Sequence, residues 1–226
     1  MPLPLELRSL LLPILNGIES GKCLCDSYSD PNNGWIPRIM TGARKGMDNV
    51  KLIVVGKNPG HPVSEEAMLY RQALSTAQSK EQQRELLFDA MVSWGERCHL
   101  TYIQGRKGTY HKQLMRFLRD VLDTNDNEEV LDTVYFTEAM KCSTPNDLQA
   151  RLESKTVRLC MTNWLAKEFA ILPKVPILAL GREADCFLRK MFPEMNSRVV
   201  YLSHPSWPFK NYELAKQNVQ SQLKPI

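Results

Sequence analysis

The sequence predicts an α/β fold, a three-layer α/β/α sandwich around a central four-stranded, mainly parallel sheet, and three observations predict it. Four short runs, 51–56 (KLIVVG), 133–138 (TVYFTE), 175–181 (VPILALG) and 198–203 (RVVYLS), are rich in β-branched and aliphatic residues and nearly continuous in apolar character. Such continuity belongs to strands covered on both faces, the usual state of a parallel sheet. The intervening segments are helical in pattern, at 5–16, 64–78, 80–94, 110–122, 156–172, 183–191 and 212–222.

Taken in order, the opening MPLPLELRSLLLPIL has neither a basic leading segment nor a small-residue cleavage site, so it reads as an amphipathic helix rather than a signal peptide. The first strand runs into Lys57-Asn58-Pro59-Gly60-His61, and the second carries Glu138 ahead of Lys141-Cys142. The third strand ends at Gly181 and the fourth in His204-Pro205-Ser206. In an open α/β sheet the ligand lies beyond the carboxyl ends of the strands, so the polar groups of these turns are expected to converge at one edge.

With 226 residues, 43% of them hydrophobic, the chain has the material for one sizeable core, and a single domain over 1–226 is expected. No segment approaches the ~20 apolar residues that cross a bilayer, so no membrane partner is expected, and the reading places the protein in the cytoplasm. Twenty-nine Lys and Arg against 25 Asp and Glu leave a charge of +4, which permits a nucleic-acid partner without requiring one. Cysteines stand at 23, 25, 98, 142, 160 and 186. In a reducing compartment such a set points to metal binding or free thiols rather than disulfides.

GKNPG after the first strand, HPS after the last and the Lys141-Cys142 dipeptide after a middle strand together resemble the uracil-DNA glycosylase superfamily. The stretch from Cys142 to Arg182, with Cys160, Trp164-Leu165, Leu172-Pro173 and ILALGREA, is similar to the iron-sulfur (family 4-like) branch of that superfamily. The resemblance implies a DNA glycosylase and covers about two thirds of the chain. It departs in three places. Cys23-Leu24-Cys25 is one residue tighter than the branch's CxxC, and 61–108 is longer than expected and reads as an inserted helical lid or DNA-contacting arm. At position 138, where the branch places the Asn that reads uracil, this chain has Glu.

Excision of a base breaks an N-glycosidic bond through an oxocarbenium-like transition state, so the departing anionic base must be stabilised and a water positioned. Asn58, between Lys57 and the stiff Pro59, is the candidate to orient that water, although Asn58-Pro59-Gly60 also reads as a plain turn. His204 is the candidate to donate a hydrogen bond to the base carbonyl. Lys57 admits a Schiff-base lyase mechanism, against the commoner role of a lysine beside a Gly-rich loop as a phosphate-holding charge. Gly56 and Lys57 are placed with Glu138 at the base pocket. An ionised Glu138 would be repelled by the O4 of uracil and would accept from the N4 amino group of cytosine, which favours a cytosine-type base. A protonated Glu138 would mimic Asn and keep uracil as a substrate, and a salt-bridging Glu at a strand end is the plain structural reading.

Tyr110 is the first candidate for stacking on a flipped base, with Tyr70 and Tyr102 as rivals. Pro205, Ser206, Trp207, Phe209 and Lys210 occupy the loop from which the superfamily inserts a side chain into DNA, and Arg106, Lys107 and Lys112 could contact phosphates. The resemblance implies that Cys23, Cys25, Cys142 and Cys160 hold a structural [4Fe-4S] cluster, while a four-thiolate zinc site or buried free thiols fit the same residues. His99 and His111 lack metal-ligand spacing and are read as surface or packing residues.

The expected function is a monofunctional glycosylase acting as a monomer on DNA, with water as the only small cosubstrate. Its base would be uracil or a modified cytosine such as those of phage DNA, the latter implying defence rather than repair. The alternative is a non-catalytic nucleic-acid-binding module that keeps the fold. A metabolic enzyme on a nucleotide-binding sheet is the weakest reading, because GKNPG matches neither GxGxxG nor the phosphate loop.

Overall fold

Strand β2 (Leu52–Gly56) is buried along its whole length because its alternate side chains enter two different cores. In the computed structural model, which describes residues 4–15, 41–57, 63–101, 105–142, 154–205 and 210–223, the first described helix is α1 (Leu5–Leu11), continued by a tighter 3₁₀ turn at Leu12–Leu15. A two-residue strand β1 (Thr41–Gly42) precedes β2. Four helices, α2 (Ser64–Thr76), α3 (Lys80–Thr101), α4 (Gly105–Leu122) and α5 (Asn127–Thr133), lead to β3 (Val134–Glu138). Next come α6 (Ser154–Cys160), one wide π turn (Met161–Leu165) and α7 (Ala166–Ile171). The described residues close with β4 (Ile177–Leu180), α8 (Gly181–Met191), β5 (Val199–Leu202) and α9 (Tyr212–Leu223).

The sheet order is β1-β3-β2-β4-β5, with β3, β2, β4 and β5 parallel. One face sends Ile53, Val55, Tyr135, Ile177, Ala179 and Val199 into a core shared with α1, α2, α3, α6, α7 and α8. The other sends Leu52, Val54, Val134, Phe136, Leu178, Leu180, Val200 and Leu202 against α4, α5 and α9. Two apolar cores separated by a sheet make the three layers that the continuous strand runs require. No helix among the described residues is long and apolar enough to cross a membrane.

The expected four parallel strands are present, and the sheet is corrected to five by β1, which pairs antiparallel with β3 through Thr41↔Phe136 and Gly42↔Tyr135. The helix expected at 110–122 starts at Gly105, and that expected at 80–94 continues to Thr101. Helix α5 is an addition. Asp126 caps it, its carboxylate accepting from the Glu128 N–H at 2.9 Å.

Connections leave β2 toward β3 on one side and β4 toward β5 on the other. The carboxyl ends of β2 and β4 therefore flank the crevice where ligands bind in open α/β sheets.

Candidate active site

Gly56 and Glu138 end their strands side by side in register. Along β3, Glu138 shares a face with Val134 and Phe136, the face covered by α4. Its carboxylate folds across Gly56, so that a Cβ there would lie 2.0 Å from Oε2, 2.7 Å from Cδ and 2.9 Å from Oε1. Only glycine leaves the carboxylate this rotamer.

Helix α4 supplies Tyr110, whose phenol is held well above its ordinary value, first by burial and then by the negative charge of Glu138. Tyr110 therefore remains a hydroxyl at any physiological pH. Its ring lies 5.4 Å from that of His204, tilted by 39°, and meets His111 edge-on at 5.0 Å. His111 in turn meets His99 edge-on at 4.8 Å, and His99 stacks on Phe136 of β3 at 4.2 Å. The two imidazoles face each other through Nδ1 atoms 3.4 Å apart, so one ring donates and the other accepts. Burial, and then the neighbouring His111, hold the pKa of His99 well below its ordinary value, which keeps the His99 ring uncharged at neutral pH.

His204 follows β5 and is set against the turn that begins α8. Gly181 adopts φ +83° there, and a Cβ on it would lie 3.6 Å from His204 Cβ and Cδ2. One side of His204 is open to solvent, yet the protein packed around it, and then the positive charge of Lys57, hold its pKa below 6.5. At neutral pH the ring is an uncharged donor. Lys57 itself forms an ion pair of 2.9 Å with Glu183 of α8, spanning the ends of β2 and β4.

The structure thus brings together Gly56, Lys57, Glu138, Tyr110 and His204. Pro205 is buried beside His204, and exposed Lys210 donates its backbone N–H to Ser203 Oγ at 3.2 Å. Lys112 is exposed on α4. Asn58, Ser206, Trp207, Phe209, Tyr102, Cys23 and Cys25, and the side chains of Arg106 and Lys107, lie outside the described residues. Tyr70 is removed from candidacy, because it is buried between helices with its hydroxyl donating to Glu66 Oε1 at 2.5 Å. His99 and His111 are packing residues, as the sequence suggests: His99 is buried against Phe136, and His111 meets both His99 and Tyr110 edge-on. The one signal in the sequence for the contact with Tyr110 is the adjacency of Tyr110 and His111.

Behind the pocket, Cys142 and Cys160 are both buried, and the Lys141 backbone N–H donates to Cys160 Sγ at 3.3 Å. An N–H donated to sulfur is compatible with a thiolate at Cys160, while for Cys142 the structure shows burial alone. Among the described residues no three potential metal ligands cluster; Cys23 and Cys25 are not among those residues. Cys98 is buried and Cys186 exposed, and neither is in a disulfide.

The model of the family described as the uracil DNA glycosylase superfamily matches residues 43–224, taking in all four parallel strands and every residue of the pocket above. No curated protein matches the chain.

Proposed function

We propose, since this chain belongs to the uracil DNA glycosylase superfamily, that it hydrolyses the N-glycosidic bond of a base flipped out of DNA and leaves an abasic site. The observation that carries the reading is the Glu138 carboxylate laid over Gly56 at a sheet edge shared with Tyr110 and His204.

A flipped base entering this edge meets Tyr110 as an aromatic face and Glu138 as an acceptor. As the glycosidic bond lengthens, negative charge builds on the base carbonyl, and an uncharged His204 donates its N–H to that oxygen. A ring already neutral at pH 7 needs no proton from solvent to begin the step. Asn58 is the residue we assign to orient the attacking water, from its place in the sequence after β2, and Lys57, paired with Glu183, supplies positive field near the leaving base. A monofunctional hydrolase uses this amine as a charge rather than as a Schiff-base nucleophile.

The substrate class we favour is a cytosine-type base, modified as in phage DNA, because the carboxylate accepts from an exocyclic amino group. A substrate of that class would make the role defence against foreign DNA, with uracil repair as the rival assignment. The helices α2 and α3 lie within 61–108 and bury Tyr70, Leu87, Phe88 and Met91 in the core, so any contact of this segment with DNA falls to their exposed faces. Cys23, Cys25, Cys142 and Cys160 would hold a [4Fe-4S] cluster whose contribution is to staple the fold. We take the protein to act as a cytoplasmic monomer.

The test incubates purified protein with duplex and single-stranded oligonucleotides bearing uracil, cytosine, hydroxymethylcytosine or glucosylated hydroxymethylcytosine, followed by alkaline cleavage at abasic sites. Strand breaks confined to a cytosine derivative support the full reading. Breaks at uracil alone support the family activity and reject the cytosine assignment. DNA binding without any break identifies a non-catalytic module.

A further inference from the structure

Lys141 carries an ammonium that is 1% exposed, and its partner Glu168 on α7 is 0% exposed, with Nζ and Oε1 2.6 Å apart. Taking two charges out of water costs as much as their attraction returns, and apolar pairs of similar volume replace such bridges with little or no loss of stability. Stability therefore does not account for this pair, but its other contacts do. Lys141 Nζ donates to the backbone oxygen of Glu138 at 2.9 Å and to Thr137 Oγ1 at 2.5 Å. Glu168 Oε2 accepts from Thr137 Oγ1 at 2.6 Å and from the Tyr135 hydroxyl at 3.2 Å.

These bonds tie the end of β3 to α7, through the side chains of Tyr135 and Thr137 on the face opposite the Glu138 side chain, and through Lys141 to the Glu138 carbonyl. The following turn is tied to β2, with Ala139 N–H donating to Gly56 O at 2.9 Å and Met140 N–H to Lys57 O at 3.0 Å. The peptide carrying Glu138 is thus gripped from both directions, and its carboxylate is aimed over Gly56. A few tenths of an ångström of slip at this peptide would move that carboxylate by as much against a base bound rigidly in the pocket.

We propose that the buried Lys141–Glu168 pair is a positioning device that sets base discrimination by fixing the peptide of Glu138. This rests on the reading that Glu138 contacts the base. Neither side chain touches substrate; both act through Glu138.

The test measures single-turnover rates on matched oligonucleotides carrying the best substrate base and its closest competitor, together with thermal unfolding. The variants are the double Lys141→Met/Glu168→Leu, the single Glu168→Gln and, as the control on the underlying reading, Glu138→Gln. The double variant is expected to melt within a few degrees of the native protein yet to lose at least tenfold of its discrimination ratio, toward that of Glu138→Gln. Glu168→Gln, which keeps volume and acceptor while removing the charge, is expected to lose part of the ratio, and it decides the matter alone if the double variant does not fold. A native ratio in the folded variants, alongside a changed ratio in Glu138→Gln, overturns the proposal and leaves the base-reading role of Glu138 standing. An unchanged ratio in Glu138→Gln removes that role, and the positioning proposal falls with it.

Discussion

The Glu138 carboxylate occupies the space that a Cβ on Gly56 would need, with Oε2 2.0 Å from that position. Because the obstructing atoms are the free end of a flexible side chain, Gly56→Ala should fold and should turn the carboxylate to another rotamer. We expect it to shift substrate preference in the same direction as Glu138→Asn, which supplies an N–H where the native residue offers only acceptors. One well-aligned base contact is worth about 1–3 kcal/mol of discrimination. Single-turnover rates on uracil and cytosine-derivative oligonucleotides check both variants, and an unaltered ratio in both removes Glu138 from substrate choice.

His204 takes up its proton at a pH below 6.5 because burial, and then Lys57, disfavour the charged ring. Removing the Lys57 charge should raise that midpoint only partway, since burial is the larger cause. Titration of the His204 ring by NMR in native protein and in Lys57→Met measures the two contributions, and a midpoint unmoved by the substitution would separate Lys57 from the ring. His204→Ala should lower turnover by ~10²–10³-fold, the usual scale for one positioned donor, with DNA binding nearly retained.

His99 imposes an acid limit on the fold. In the unfolded chain it binds a proton near pH 6.5, whereas in the folded protein burial and His111 postpone that proton to a much lower pH. Over that window the unfolded state holds the extra proton, so stability falls as pH falls below 6.5, at up to about 1.4 kcal/mol per pH unit from this one group. His99→Phe keeps a ring against Phe136 and should flatten this part of the curve. Denaturant midpoints between pH 7 and pH 5 supply the measurement.

Cys142→Ser and Cys160→Ser should reduce soluble yield before they touch chemistry, because a structural metal site contributes folding energy. Native protein purified without oxygen should be brown from thiolate-bound iron. A colourless protein with stoichiometric zinc would replace the cluster assignment by a four-thiolate zinc site.

The four parallel strands are legible in sequence because both faces of each are buried, which leaves unbroken apolar runs such as LIVVG at Leu52–Gly56. Strand β1 leaves no such trace, since two residues, Thr41 and Gly42, are too few to show a period. Helix α5 carried its signals in Asp126, Glu128 and Glu129 but is only seven residues long, below the length at which apolar spacing identifies a helix. Gly56, Lys57, Glu138 and His204 could be found from sequence because strand ends converge in this fold class. Glu168 could not, because a helical Glu thirty residues from Glu138 reads as a solvated charge until the fold sets it 2.6 Å from Lys141.

Strand β1 also acts as a guard. Its pairing with β3, extended by the Ala43 N–H to Val134 O bond of 2.9 Å, occupies the outer rim of the strand that ends in Glu138. Gly42 approaches so closely that a Cβ on it would stand 1.9 Å from Val134 O, and a Cβ on Gly95 of α3 would stand 2.2 Å from Thr41 Cγ2. The region matching the superfamily starts at Ala43, just past this strand. A chain trimmed to that boundary would keep the Ala43 bond but lose the pairing of Thr41 and Gly42 with Phe136 and Tyr135, leaving that stretch of β3 as an edge open to strand addition. Thr41 and Gly42, just ahead of the matched region, thus supply the antiparallel pairing that caps the edge of the pocket strand.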